Sequence, residues 1–122
     1  MNYWENLGTE HAEGFEIQFS IAPEDLHPSD CFDNSIDLET GKPYYDTDEM
    51  ARDIDSGRLS WFVARVQAFK NGILLGSEYL GRNLYENPTD FISDSGYYDD
   101  MKDAVIKEAR ETIKKLTEEQ PA

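Results

Sequence analysis

The stretch LSWFVARVQAFKNGILLGSEYLG, residues 59–81, constrains the fold more than any other part of the chain. Two strand-like runs flank Asn71-Gly72, a dipeptide suited to the positive φ angles of a two-residue type I′ hairpin turn. If that turn closes the hairpin, Lys70 pairs with Ile73 and the register follows by counting outward. Arg65 then stands opposite Glu78 as an opposite-charge pair. The same count places Phe62, Ala64, Val66, Ala68, Ile73, Leu75 and Tyr79 on one face, the expected core face. The other face mixes Trp61, Val63, Phe69, Leu74 and Leu80 with Arg65, Gln67 and Glu78 and is expected to be half covered. Gly76 and Gly81 mark a bulge or a close backbone approach.

A two-stranded ribbon is only marginally stable alone, so a further element must cover it. FEIQFSI supplies one: Phe15, Ile17, Phe19 and Ile21 alternate with Glu16, Gln18 and Ser20, which predicts a third strand ended by Pro23. The C-terminal GYYDDMKDAVIKEARETIKKLTEE predicts a helix. Its apolar stripe is Met101, Ala104, Val105, Ala109, Thr112, Ile113 and Leu116. Asp99, Asp100 and Asp103 come early and Lys114 and Lys115 late, as the helix dipole favours, with Ser95 as the expected cap. NPTDFI predicts a short helix with Asn87 as cap and Pro88 at the first helical position. DTDEMARDIDSG predicts another, capped by Asp46 or Thr47 and stopped at Gly57, with Met50, Ala51 and Ile54 facing inward.

These elements make an α+β class: a small antiparallel sheet of three or four strands around the Asn-Gly hairpin, packed against the C-terminal helix, with short extra helices. The 122 residues suit one domain with a modest core. Residues 22–57 form an acidic, loop-rich insertion within it, and residues 118–122 a fraying tail. Residues 22–46 are a long connection with little periodicity, a kind that is usually functional or mobile. CFDNSIDL within it is a candidate edge strand. One cysteine, Cys31, allows no internal disulfide and suits a reducing compartment. The N-terminus has neither a basic nor an apolar leader region, and no stretch approaches a membrane span, so the cytoplasm is the expected location.

The formal net charge is −15, and its distribution is uneven. Residues 1–56 hold fifteen acids against two bases, Lys42 and Arg52, whereas residues 57–122 hold eleven acids against nine bases. Phosphates would be repelled, which disfavours direct binding to nucleic acid or to an anionic membrane. A basic partner is favoured instead, although acidity also serves solubility.

Catalytic and metal-binding constellations are thin. His27 and Cys31 stand four residues apart near Asp30 and Asp33, but a zinc site needs about four ligands, and only His11 could be added. A Cys-His nucleophile pair lacks any nameable oxyanion hole or orienting group. DNSIDLE and DTDE do not match the calcium-binding EF-hand loop. Paired carboxylates carry little signal among twenty-six acids. LGSEYLG lacks the setting and the lysine of a phosphate-binding loop. No catalytic residue, metal or cofactor is assigned. Tyr44 and Tyr45, inside the acidic region, suit a protein interface, and equally could cover the sheet's rim.

A small, strongly acidic α+β chain of this kind resembles the anti-restriction and anti-CRISPR proteins of phages and mobile elements. NGILLGSEYLG followed by GYYDDMKDAVIKEA is similar in style to such proteins. Many of them act as DNA mimics or block nucleic-acid-binding surfaces, so the resemblance implies a non-enzymatic inhibitor of a basic nucleic-acid-handling protein or complex. It carries over no functional residue. The residues themselves give the expected contacts: Glu24, Asp25, Asp30, Asp33, Asp37, Glu39, Tyr44, Tyr45, Asp46, Asp48, Glu49, Asp53 and Asp55. The alternative is an accessory or adaptor protein that recognises its partner through the apolar sheet face around Trp61, Phe69 and Leu80.

Overall fold

A computed structural model describes residues 4–94 and 96–118. Four strands, β1 (Glu5–Ala12), β2 (Phe15–Pro23), β3 (Ser60–Lys70) and β4 (Ile73–Tyr85), form one antiparallel sheet in the order β1-β2-β3-β4. Three helices accompany it: α1 (Thr47–Asp55), α2 (Asp90–Asp94) and α3 (Tyr97–Glu118), together with a 3-10 turn at Pro28–Asp30. The architecture is α+β, with a C-terminal helix on the sheet and short extra helices, as the sequence predicts. Ser95, the expected cap of α3, and residues 119–122 of the tail lie outside the described residues.

Both two-residue hairpin turns have positive φ at both positions. Asn71 and Gly72 stand at 52° and 77°, Glu13 and Gly14 at 52° and 89°. A glycine at the second position tolerates this region at no steric cost, and this geometry matches the strands' own twist.

The core lies between one sheet face and the helices α2 and α3. Ile17, Phe19, Ala64, Val66, Phe91, Val105 and Ala109 are fully buried there. Phe91 of α2 stacks on Phe19 at 5.3 Å between ring centroids and meets Phe62 and Tyr85 edge-on. The buried stripe of α3 is Tyr98, Met101, Val105, Ile106 and Ala109. Ile106 thus belongs to it, while Leu116 is left exposed.

The register of the central hairpin departs from the counted one. Lys70 pairs with Ile73 as expected, and Phe69 with Leu74, but Ala68 then pairs with Gly76. Leu75 is the extra residue of a bulge, so the side chains of β4 from Gly76 to Leu80 change face. Arg65 therefore stands opposite Tyr79 rather than Glu78, which pairs with Val66. Tyr79 turns outward, 57% exposed, and Leu80 turns inward against the core in its place. Ile73, beside the turn, is also exposed rather than in the core.

The physical reason lies in α3. A Cβ on Gly76 would come within 2.6 Å of the Val105 carbonyl oxygen. Only glycine allows the helix backbone to lie this close, and the bulge delivers Gly76 to that spot. A second irregularity, opposite Val63, falls at Gly81-Arg82, where Arg82 has φ 63°.

Candidate functional site

The acidic segment leaves the sheet at Pro23 and returns at Ser60. CFDNSIDL does not join the sheet as an edge strand. Residues 33–45 instead fold back on themselves as a short finger: Tyr45 N–H donates to Asp33 O, Tyr44 N–H to Ser35 O and Asp37 N–H to Lys42 O, at 3.1, 3.0 and 2.8 Å. A single bridge, Ile36 to Pro43, is the only strand-like pairing within it. Its charge and its aspartate-rich turns favour local side-chain hydrogen bonds over a sheet ladder.

Several acids hold this backbone in place. Asp33 Oδ1 accepts from the backbone N–H and the hydroxyl of Ser35, at 2.9 and 2.6 Å, and these bonds hold its carboxyl below the usual range. Asp37 Oδ1 accepts from Glu39 N–H at 2.9 Å. Asp46, rather than Thr47, caps α1 by accepting from Glu49 N–H at 3.0 Å. Thr47 is buried, where its hydroxyl accepts from Asn34 Nδ2 at 3.4 Å. Glu24 accepts from the backbone N–H of Arg82 at 2.9 Å and so ties the start of the segment to β4.

The segment is fastened to the sheet through Trp61, on the face opposite Phe62. Its indole N–H donates to the Leu26 carbonyl at 2.6 Å, while Glu24 N–H donates to the Trp61 carbonyl at 3.1 Å. Phe32 links Trp61 to Tyr45, with ring centroids 6.1 and 5.2 Å apart. Leu59 N–H donates to Asp53 O at the exit of α1. His27 is spent on a cap: its Nδ1 accepts from Ser29 N–H and lies 2.8 Å from the Ser29 hydroxyl. Among the described residues no group of three or more His, Cys, Asp or Glu is placed to hold a metal ion.

The expected contact residues divide accordingly. Glu24, Asp33, Asp37 and Asp46 hold backbone groups, and Asp53 pairs with Arg58 at 3.7 Å. Asp25, Asp30, Glu39, Asp48, Glu49 and Asp55 are exposed and make no side-chain hydrogen bond or ion pair among the described residues. Tyr44 projects to solvent, whereas Tyr45 is half committed to the Phe32 contact. Glu24, Asp25 and Asp55 line one small hollow, and Asp46 and Asp48 line another beside the finger.

The other ion pairs among the described residues lie elsewhere. Lys102 meets Glu10, Arg110 meets Glu13 and Lys114 meets Glu118, at 3.1, 2.6 and 3.8 Å.

Trp61, Phe69 and Leu80 do not form one surface. Trp61 is covered by the acidic segment, the bulge turns Leu80 to the helix side, and only Phe69 stays partly open on the far face. In their place that face carries Trp4, stacked over the Arg65 guanidinium at 4.1 Å and edge-on to Tyr79. Sequence reasoning also missed Leu38, 96% exposed at the tip of the finger. An isolated leucine between Asp37 and Glu39, with no helical or strand period, was the available signal.

Among the described residues no helix is long and apolar enough to cross a membrane. Compared with protein-family models, curated proteins and solved structures, the chain matches none.

Proposed function

We propose that the protein is a non-enzymatic inhibitor that binds a basic, nucleic-acid-handling protein or complex through segment 24–55. The observation that carries this reading is where the chain's own bases go. Segment 24–55 contains eleven acids and two bases, yet a single ion pair, Asp53 with Arg58, neutralises any of them among the described residues. Lys102, Arg110 and Lys114 are engaged with acids outside the segment.

Six unpaired carboxylates on a turn-locked scaffold keep a strong local field that the fold does not use. Exposed like charges within a Debye length of about 8 Å repel one another at physiological salt. A partner whose lysines and arginines are spaced to grip phosphates relieves that repulsion on binding. Occupying those bases excludes the nucleic acid, which is the anti-defence role of the phage and mobile-element proteins that this chain resembles.

The test is a salt and competition series on the partner captured from the producing cell. Association should slow by about tenfold or more between low and physiological salt. A DNA or RNA duplex should compete for the same partner. Reversing Asp30 and Glu39 to lysine, which disturbs no backbone bond, should weaken binding and flatten its salt dependence. Binding indifferent to salt, to duplex and to both reversals would remove the proposal.

A further inference from the structure

We infer that the groove at the end of the sheet takes a bulky apolar side chain from a basic segment of the partner, so that recognition combines an apolar anchor with flanking charge. The inference rests on the inhibitor reading above and adds to it the chemistry of what is bound.

The groove, about 450 Å³, runs between the end of β2 and the return from α1. Ile21, Pro23, Ile54, Leu59 and Trp61 make its apolar walls, and Glu5 stands at its rim. A second hollow of about 210 Å³ adjoins it across Ile54 and Trp61, which line both. Glu24, Asp25 and Asp55 line this smaller space together with Leu26. With Glu5 on the groove and Glu24, Asp25 and Asp55 on the adjoining hollow, four carboxylates border the joined apolar space. Glu5, Asp25 and Asp55 have no side-chain partner among the described residues, and the neighbouring base, Arg58, is turned to Asp53.

The volume falls at the size of small-ligand pockets, about 300–1,000 Å³. The rim decides among occupants. An anionic ligand or an acidic lipid surface would meet four like charges. A second copy of this chain, approaching about a two-fold axis, would bring the same four carboxylates against themselves. A leucine, methionine or aromatic side chain with lysine or arginine on either side satisfies floor and rim together. This is the usual anatomy of an interface hot spot, an apolar anchor surrounded by polar contacts.

The test is selection from a random-peptide display library against the immobilised full-length protein at low salt. Affinities of the enriched peptides are then measured by fluorescence anisotropy. The expected consensus is a bulky apolar residue flanked by lysine or arginine. Replacing that residue by alanine should cost about tenfold or more in affinity, as should Ile54→Ser or Leu59→Ser in the protein. Two protein variants are used, each checked by circular dichroism, so that a failure of one to fold does not decide the matter. Basic peptides with no apolar consensus, bound equally by wild type and both variants, would overturn the groove and leave the electrostatic reading standing. Apolar peptides without bases would overturn the charged rim and count against that reading as well. No enrichment would overturn both. Self-association in sedimentation that Ile54→Ser abolishes would assign the groove to a second copy and overturn the proposal.

Discussion

The indole N–H of Trp61 reaches the carbonyl of Leu26 at 2.6 Å, across 35 residues of chain. This is the one side-chain hydrogen bond from the body of β3 to the acidic segment, and it is reinforced by the Glu24 N–H to Trp61 carbonyl bond. Without it, the middle of the segment would be held to that face by the Phe32 ring contacts, with backbone bonds left only near its two ends.

Trp61→Phe should therefore loosen the segment while leaving the sheet intact. The ring that fills the space is largely kept, but the part-buried Leu26 carbonyl loses its donor, at a cost of about 1–2 kcal/mol. Hydrogen exchange is the measurement. Amides of residues 24–55 should exchange faster in the variant, and those of Ile17, Val66 and Val105 should not. Uniform acceleration across the chain would mean that Trp61 belongs to the global core instead.

Gly76→Ala makes the converse test, since it attacks the body of the fold and spares the segment. The new methyl would lie 2.6 Å from the Val105 carbonyl oxygen and 3.4 Å from the Glu108 Cβ. The obstruction is helix backbone, not the end of a flexible side chain, so α3 must shift or β4 must bend. Overpacking of this kind costs about 1–3 kcal/mol. Urea titration should show a lower midpoint with an unchanged slope. An unchanged midpoint would mean that α3 lies farther from β4 than described.

The hairpin, β2 and α3 were legible because each repeats a strong local signal: a two-residue turn dipeptide, strict alternation, or a spaced apolar stripe. β1 was not, since Glu5–Ala12 offers Leu7 and Ala12 as its only apolar inward contacts and reads as polar irregular chain. Its pairing is dictated from outside, by the Glu13-Gly14 turn and the exposed edge of β2. The bulge at Leu75 was half legible: Gly76 marked a bulge or a close backbone approach, but the partner it approaches, α3, and the resulting change of face in β4 are tertiary facts that no local pattern encodes. Of the site, the sequence disclosed which residues are acidic and where they concentrate. It could not separate Asp33, Asp37 and Asp46, which hold turns, from Asp30 and Glu39, which hold nothing. That difference depends on which backbone N–H groups the fold brings within reach.

Alkaline pH should expose the link between β1 and α3. Glu10 accepts from the Tyr98 hydroxyl at 3.1 Å and pairs with Lys102 at 3.1 Å. Burial first, then the Glu10 charge, raises the Tyr98 phenol well above its ordinary value of 10.0. The Glu10 hydrogen bond is the main cause that raises Lys102 above 10.5. The folded state thus keeps protons that the unfolded chain releases. The resulting stability is fully present below about pH 10 and is lost as pH rises beyond it. Melting temperatures between pH 8 and 12 should hold level and then fall. In Glu10→Gln the fall should be shallower, but not absent, because burial of Tyr98 remains. Identical profiles for the two proteins would show that Glu10 does not set this dependence.

The acids of the segment should fall into two classes when neutralised. Asp46→Ala removes the bond to Glu49 N–H that opens α1, and loss of an aspartate cap costs about 1 kcal/mol. Asp30→Asn and Glu39→Gln remove no bond among the described residues and relieve like-charge repulsion. Their effect on stability should lie within about 0.5 kcal/mol of zero or be favourable. Leu38→Ser belongs with them, since a side chain 96% exposed contributes no packing to lose. Urea midpoints of the four variants, measured at low and high salt, check this. Salt should narrow the gain from Asp30→Asn and Glu39→Gln and leave the Asp46→Ala deficit in place. A marked loss of stability in Asp30→Asn or Glu39→Gln would show that these carboxylates are spent on the fold and are not free for a partner.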